Sequence, residues 1–490
     1  MKRNRYLLFA TLSFLLLVFA SHAPYGVVDV GAQDLTATTA EKSVRPPRIG
    51  LLDIETIDTP SYNGPSDEMT AAERDQIQEE VWRNISALEV EGKLWQAKAG
   101  PTRLEWPTRR ASGLNDFNIG QISSYVDQNL AFPNQVLDWN CGSRTYDQTD
   151  GYNHAGIDIN SFAFPWRRMY QNEVEVVAAA PGIIIVRDDG AFDQSCSQSS
   201  TGNVNRVILM HPDSTVTWYL HLKNGSVTSK SVGEHVDVGE YLGIAGSSGR
   251  STVPHLHLEL HDSSGALQEP FTGPCNSMNN FSWWVQQEPY RNSRINTLLT
   301  GSALPQFPAC PAQEITNEKI VFQPNDPLIT TAHFRDLQTS QEVNFSILMP
   351  DSSIFQAWSF TSPNTLNATF RSATWQIPSD AQIGKWIYRV VFNGVTYERP
   401  FYVGQPPNVS ITGRIARKNG SGFAQARVTL FDSNSTPIAS TRTNSFGYYT
   451  LHDVVVGATY NIDVTAKGAS FNPRNLMVIG QLDALDFTSK

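Results

Sequence analysis

Ser247-Ser248-Gly249-Arg250-Ser251-Thr252-Val253-Pro254-His255-Leu256-His257-Leu258-Glu259 is the stretch whose reading decides the fold. A Gly/Ser-rich loop runs through Pro254 into an alternating segment. Read as a strand, it sets His255, His257 and Glu259 on one face, because side chains repeat every two residues. Leu256, Leu258 and Leu260 take the other face and feed a core. Two imidazoles and a carboxylate side by side are costly to bury unless they are hydrogen-bonded or bound to a metal. The rest of the chain has to supply their partners.

Tyr152-Asn153-His154-Ala155-Gly156-Ile157-Asp158-Ile159 is the first candidate. Gly156 and the flanking Asn and Gly argue for a loop entering a strand, with His154 and Asp158 turned to one point. With one histidine of the His-x-His they would make a set of two nitrogens and one oxygen. That is the ligand set of a catalytic zinc, whose fourth position is left for water. Trp218-Tyr219-Leu220-His221-Leu222 is the second candidate, with His221 closing an alternating strand before the turn Lys223-Asn224-Gly225. These segments place four of the ten histidines and one Asp near strand ends or turns of one region. His211 lies in a turn and His235 between glycine-flanked strands, and neither is assigned a role.

That region, about 131 to 262, reads as short alternating runs broken by Gly, Asp, Asn and Pro. Val174–Ala178, Gly182–Val186, Val204–Met210, Thr215–Leu220 and Leu256–Leu260 are strands, with turns at Asp188-Asp189-Gly190 and His211-Pro212-Asp213-Ser214. No helical period intervenes, so the expectation is an antiparallel β domain. Trp283, Trp284, Pro289 and Tyr290 follow as core under a long loop, and Ile295, Leu298 and Leu299 suggest a short helix.

The chain has 490 residues, 40% hydrophobic and 17% charged, with a net charge of −10. It is too long for a single core, and three or four domains are expected. Without a long basic run, nucleic acid is excluded as a partner. Met1-Lys2-Arg3-Asn4-Arg5 and the apolar run from Tyr6 to Ala20 read as a signal peptide, with Val30-Gly31-Ala32 offering small residues for cleavage. The mature protein is then exported and free of the membrane. Cys141, Cys196, Cys275 and Cys310 should form two disulfides, expected as Cys141–Cys196 and Cys275–Cys310.

Residues 33–130 read as a leader or pro-segment that restrains the site until removed, with the alternative that its helix is an ordinary N-terminal helix of the next domain. It holds one helix, opened by the capping box Thr70-Ala71-Ala72-Glu73 and carried by Ile77, Val81, Ile85 and Leu88. Domain boundaries are expected at 1–32 (signal), 33–130, 131–310 (catalytic domain with extension), 311–404 (Ig-like β module) and 408–490 (a second β module). The fold class is therefore mainly β, an antiparallel domain followed by two β-sandwich modules.

His154-x-x-x-Asp158, Trp218-Tyr219-x-His221-Leu222 and Gly246-Ser247-Ser248-Gly249 leading to His255-x-His257 resemble the lysostaphin/β-lytic type of zinc metalloendopeptidase. The resemblance covers roughly residues 131 to 265. It implies that His154, Asp158 and His257 hold Zn2+ and that His221 and His255 are the catalytic pair. It implies a peptidoglycan or Gly-rich peptide substrate for a monomer in the cell envelope or outside the cell. Residues 408–490 resemble the carboxypeptidase-regulatory type of prealbumin-like sandwich, through Thr443-Asn444-Ser445-Phe446-Gly447-Tyr448-Tyr449. Glu259 is expected to orient a histidine rather than act as base. The inserts at Asn160–Glu173 and around Cys196 are expected to line the groove. A serine hydrolase is excluded, since Gly246-Ser247-Ser248-Gly249 is not Gly-x-Ser-x-Gly. The rival reading is a non-catalytic envelope-binding scaffold with a structural zinc.

Overall fold

The structure, a computed structural model, describes residues 56–58, 69–95, 100–417 and 420–489. The expected signal peptide lies outside the described residues. Among these residues the chain is mainly β, with two helices, α1 (Ala71–Val90) and α2 (Pro165–Tyr170). The alternating histidine stretch is central to an eight-stranded sheet. Its strands are β1 (Gln121–Ser124), β2 (Ile157–Asn160), β3 (Gly182–Asp188), β4 (Arg206–Met210), β5 (Val216–Leu220), β6 (His235–Val236), β7 (His255–His261) and β8 (Leu267–Gln268). They lie in the order β1-β2-β7-β5-β4-β3-β6, with β8 also on β7, and every pair is antiparallel.

The two-residue period sorts the side chains. Leu256, Leu258 and Leu260 join Ile157, Ile159, Val207, Leu209 and Tyr219 in a core. A three-stranded sheet of Tyr241–Ile244, Val174–Val177 and Thr108–Arg110 closes that core with Val174, Val176 and Leu242. The other face of β3, β4 and β5 presents Ile183, Ile185, Ile208, Met210, Trp218 and Leu220, and these pack with Ile77, Val81 and Leu88 of α1. The helix starts where the capping box places it. Glu73 N donates to Thr70 Oγ1 at 3.2 Å, and Thr70 N donates to Glu73 Oε2 at 2.8 Å. Each apolar side chain so buried contributes about 1.5–3 kcal/mol, against about 0–1 kcal/mol for a half-exposed ion pair, so the apolar stripe holds α1 down.

Several expectations need correction. The leader does not stay apart from the eight-stranded sheet up to residue 130. Leu104, Ile119, Ile122 and Tyr125 are core, and Thr108–Arg110 and β1 pair with its sheets. Upstream, Thr56–Asp58 is a short strand paired with Leu366–Gln376. Ile295, Leu298 and Leu299 form no helix. They lie on the strand Arg294–Gly301, paired with Pro327–Leu337 beyond the expected boundary at 310. In the insert at Asn160–Glu173, Phe162, Phe164 and Trp166 are buried. Phe162 and Phe164 are buried with Leu299 and Ala368, because neighbouring strands offer them an apolar surface.

The disulfides pair as Cys141–Cys275 and Cys196–Cys310, not as expected. Phe271 stacks on Trp139 at 5.3 Å and Cys275 N donates to Trp139 O, which brings Cys275 beside Cys141. Cys310 sits against the carbonyls of Ser195 and Thr252, next to Cys196.

Two further pairs of sheets follow. A four-stranded and a five-stranded sheet span residues 294–403, completed by Thr56–Asp58. A three-stranded and a four-stranded sheet span residues 408–488. One hydrophobic cluster runs through both, from Ile295 to Phe487.

Glu269 is buried just after β8, and its Oε1 accepts from Phe271 N at 2.9 Å. Burial holds its carboxyl well above the ordinary value of 4.5, against the pull of that hydrogen bond, and the charge of Asp138 adds to the rise. The unfolded chain loses this proton first, so the folded state loses stability as pH rises above about 4.5. Glu269→Gln, an uncharged isostere, should remove this slope. Thermal melts from pH 4 to 8 should show the variant gaining on wild type as pH rises; a pH-independent difference would refute the assignment.

Candidate metal centre

β7 brings the alternating histidines to the middle of the sheet. In register, His257 faces Asp158 of β2 on one side and Leu220 of β5 on the other. The strand period thus points the His257 ring at the Asp158 carboxylate. His154 stands in the turn before β2, where its N donates to Tyr146 O and its O accepts from Asp127 N. Gly156 is required between them, since a Cβ there would lie 2.5 Å from His257 Nε2 and 2.9 Å from Leu258 O.

The partners of each ring nitrogen define the tautomers that a metal would use. His154 Nδ1 lies 2.7 Å from Tyr125 O, which only accepts, so Nε2 carries the lone pair. His257 stands between two carboxylates, Nδ1 2.9 Å from Asp158 Oδ1 and Nε2 3.1 Å from Glu259 Oε1; with Nε2–H donated to Glu259, Nδ1 keeps the lone pair that a metal would take. Those two nitrogens and Asp158 Oδ1 converge. His154 Nε2 is 3.1 Å and His257 Nδ1 2.9 Å from Oδ1, and the nitrogens are 3.4 Å apart. Three lone-pair atoms this close repel one another unless a proton or a metal ion sits among them. A tetrahedron with zinc–ligand bonds of about 2.0–2.1 Å has edges of about 3.3 Å, so the set fits zinc. Among the described residues this is the group able to hold a metal ion.

Two further imidazoles flank this set. His221 follows β5 with φ at 63°, a left-handed turn that swings its ring to the site. Its Nδ1 is 2.7 Å from Ser248 O, and its ring centroid is 4.7 Å from that of His255. The Gly/Ser loop comes this close because of Gly246, where a Cβ would meet Lys223 N at 2.5 Å and His221 O at 2.8 Å. His255 Nδ1 is 2.7 Å from Val253 O, and its Nε2 points to Asp158 Oδ1 at 3.6 Å. Both rings thus present Nε2 lone pairs near the convergence point.

Glu259 sits behind His257. Its Oε2 is 2.8 Å from His261 Nε2, and Arg74 of α1 grips both oxygens at 2.7 and 2.9 Å. Burial alone would raise its carboxyl; the Arg74 charge and the hydrogen bonds from His257 and His261 outweigh that and hold it well below 4.5. It therefore stays charged and keeps the His257 proton on Nε2.

The structure brings together all five residues singled out in the sequence: His154, Asp158, His221, His255 and His257. His211 is held elsewhere, between Pro181 O and Thr217 Oγ1, and His235 packs edge-on against Trp95. Sequence reasoning missed Tyr146, which stacks on His154 at 4.5 Å with its OH 3.4 Å from Asp158 Oδ2. It sits in an irregular loop with no period to mark it. Arg74 was also missed, because nothing in α1 alone points to Glu259.

Residues 152–270 match the family model described as Peptidase family M23, and residues 410–489 that of the carboxypeptidase regulatory-like domain. Peptidoglycan DD-endopeptidase ShyC of Vibrio cholerae is 38% identical over 153 residues, 28% of this chain and 34% of that protein. The chain thus spans about a third of the length of that curated relative. Among solved structures, the catalytic domain of the prophage-encoded M23 protein EnpA from Enterococcus faecalis is similar at 22% identity. It covers 33% of this chain and 94% of its own, with a TM-score of 0.20. BcpA, the major pilin subunit of Bacillus cereus, is similar at 9% identity over 51% of this chain and 91% of its own, with a TM-score of 0.17. The chain therefore carries a peptidase family M23 domain, followed by a carboxypeptidase regulatory-like domain.

Proposed function

We propose that this chain is an exported zinc metallopeptidase that hydrolyses peptide bonds of bacterial peptidoglycan. The observation that carries the reading is the convergence of His154 Nε2, Asp158 Oδ1 and His257 Nδ1 beside two imidazoles of matched orientation. The family match supports peptide hydrolysis, and the ShyC relationship supports peptidoglycan as substrate. The basic and apolar N-terminal run supports export. In this reading the eight- and three-stranded sheets form the catalytic unit and the two modules behind it are accessory.

His154, Asp158 and His257 would hold the ion. Bound there, zinc lowers the pKa of a water toward neutrality and polarises the scissile carbonyl. His221 and His255 do the proton work. Each donates Nδ1–H to a backbone carbonyl, which fixes the ring and leaves Nε2 to accept a proton. One takes the proton of the attacking water at Nε2 and returns it to the amine nitrogen as the C–N bond breaks; the other, as an imidazolium protonated from solvent, donates to the oxyanion. Glu259 orients His257.

The purified protein should carry one zinc per chain and clear a peptidoglycan zymogram, with clearing lost to a chelator and restored by zinc. Metal analysis showing well under one zinc per folded chain would refute the reading. A zinc-loaded protein that leaves walls and stem peptides uncut would favour an envelope-binding scaffold.

A further inference from the structure

Thr252-Val253-Pro254, the three residues ahead of His255, are each held from outside the eight-stranded sheet. Thr252 O lies against Cys310. Pro254 O accepts from Ser161 N, in the insert after β2, at 3.3 Å. Val253 is 4% exposed and buried in one apolar cluster with Phe162, Ala163 and Phe164 of that insert and with Leu299 and Ala368. The last two belong to the strands Arg294–Gly301 and Leu366–Gln376 of the sheet that follows. The two-residue period makes an apolar patch there, since Leu298 turns into that sheet's own core and Leu299 to its opposite face. The insert is a wedge tied to the same region. Asn296 Nδ2 donates to Phe162 O at 2.8 Å, the Glu314 carboxylate accepts from Trp166 N at 3.3 Å and Arg167 N at 2.8 Å, and Phe164 lies 4.8 Å from the His333 ring.

This packing fixes one carbonyl. Val253 O is 2.7 Å from His255 Nδ1 and also accepts from Ser251 Oγ at 3.1 Å. That acceptor keeps a proton on Nδ1 and leaves Nε2 to face Asp158. Pro254 restricts the Val253 backbone to extended conformations, so a shift of the Val253 side chain carries its carbonyl along. We infer that Leu299 and Val253 are positioning residues for His255: the sheet of Arg294–Gly301 holds the Val253 side chain, and through it the carbonyl that orients the ring. The inference rests on the peptidase reading, which gives His255 its proton-transfer role. A cavity beneath Val253 lets the loop relax, and a displacement of about 1 Å in a reacting group costs up to about 10²-fold in rate.

The test uses the full chain. Leu298→Ala and Leu299→Ala are the same truncation at neighbouring positions of one strand, 0% and 6% exposed. Both should lower the thermal midpoint. Leu299→Ala alone should lower kcat, by about tenfold or more, with KM and zinc content unchanged. Leu299→Met, of similar volume, should restore kcat to within about twofold. Val253→Ala should repeat the loss without touching the sheet, and it decides the matter where Leu299→Ala does not fold. NMR of the histidine ring nitrogens, with His255 assigned by its disappearance in His255→Asn, gives a readout independent of turnover. Wild type should show His255 protonated at Nδ1, and Leu299→Ala and Val253→Ala a mixture of tautomers. Equal losses of kcat in Leu298→Ala and Leu299→Ala would overturn the inference, as would a Val253→Ala that keeps full kcat and a single tautomer. A wild type that binds zinc and cuts no peptidoglycan, while its His255 tautomer still depends on Leu299 and Val253, would leave the positioning standing and refute the peptidase reading.

Discussion

His257→Ala loses zinc and activity together, whereas His255→Ala keeps near-stoichiometric zinc and loses activity by a factor of about 10² or more. The two histidines share one strand face, so the sequence period alone treats them alike. The structure separates them by what each ring nitrogen faces. His257 turns Nδ1 to Asp158 Oδ1 at 2.9 Å and anchors Nε2 on Glu259. His255 anchors Nδ1 on Val253 O, and its Nε2 stands 3.6 Å from Asp158 Oδ1, outside the tight triangle. Removing the His257 ring leaves two ligands, too few for a catalytic zinc site. Removing the His255 ring leaves the triangle whole and takes away a positioned acid–base group. Zinc content and turnover on both variants decide the matter. Metal lost from His255→Ala and kept by His257→Ala would reverse the assignment.

Arg168→Met should destabilise the fold by about 3–5 kcal/mol, the cost of stripping one partner from a buried ion pair. Arg168 lies on α2 and is 1% exposed. Its Nη2 meets Asp116 Oδ2 at 2.6 Å, and its Nη1 lies 3.6 Å from Glu173 Oε2. Methionine keeps the bulk and leaves two carboxylates buried without that cation. Burial alone would raise the Asp116 carboxyl, but the Arg168 charge, a Thr297 hydrogen bond and the Arg399 charge hold it below 3.8. A depressed acid contributes stability above its unfolded value and loses it as pH falls through the folded one. Wild type and variant should therefore differ most at neutral pH and converge below about pH 3.8. Denaturant midpoints read by the fluorescence of the catalytic unit give the comparison; a shift that stays constant from pH 7 down to strong acid would refute it.

The candidate site was legible because its residues lie on a two-residue period and at strand ends. The Leu256-Leu258-Leu260 face had to be inside, so the His255-His257-Glu259 face was fixed as a chemical surface. α1 was legible for a similar reason, since its cap and stripe are local signals. What escaped depends on long-range pairing. Ile295, Leu298 and Leu299 have helical spacing, yet strand pairing with Pro327–Leu337 overrides it. Thr108–Arg110 is three residues long, too short for any period to show before Val174–Val177 pairs with it. The cysteine pairing followed the return of the chain past Trp139 rather than distance along the sequence. The resemblance covered one region of the chain and carried nothing about the helix lying over it.

The bridge from Cys196 to Cys310 has a mechanical consequence. Cys196 belongs to a loop whose Ser195 N donates to Ser247 O and whose Gln198 O accepts from Arg250, so it is stitched to the Gly/Ser loop. Cys310 lies between the first strand of the following pair of sheets, Arg294–Gly301, and its later strands. The cross-link spans 114 residues and offers a covalent path that bypasses all of them. Tension applied to the C-terminal modules is therefore delivered to the Gly/Ser loop, a few residues from His255, rather than spent on extending the intervening chain.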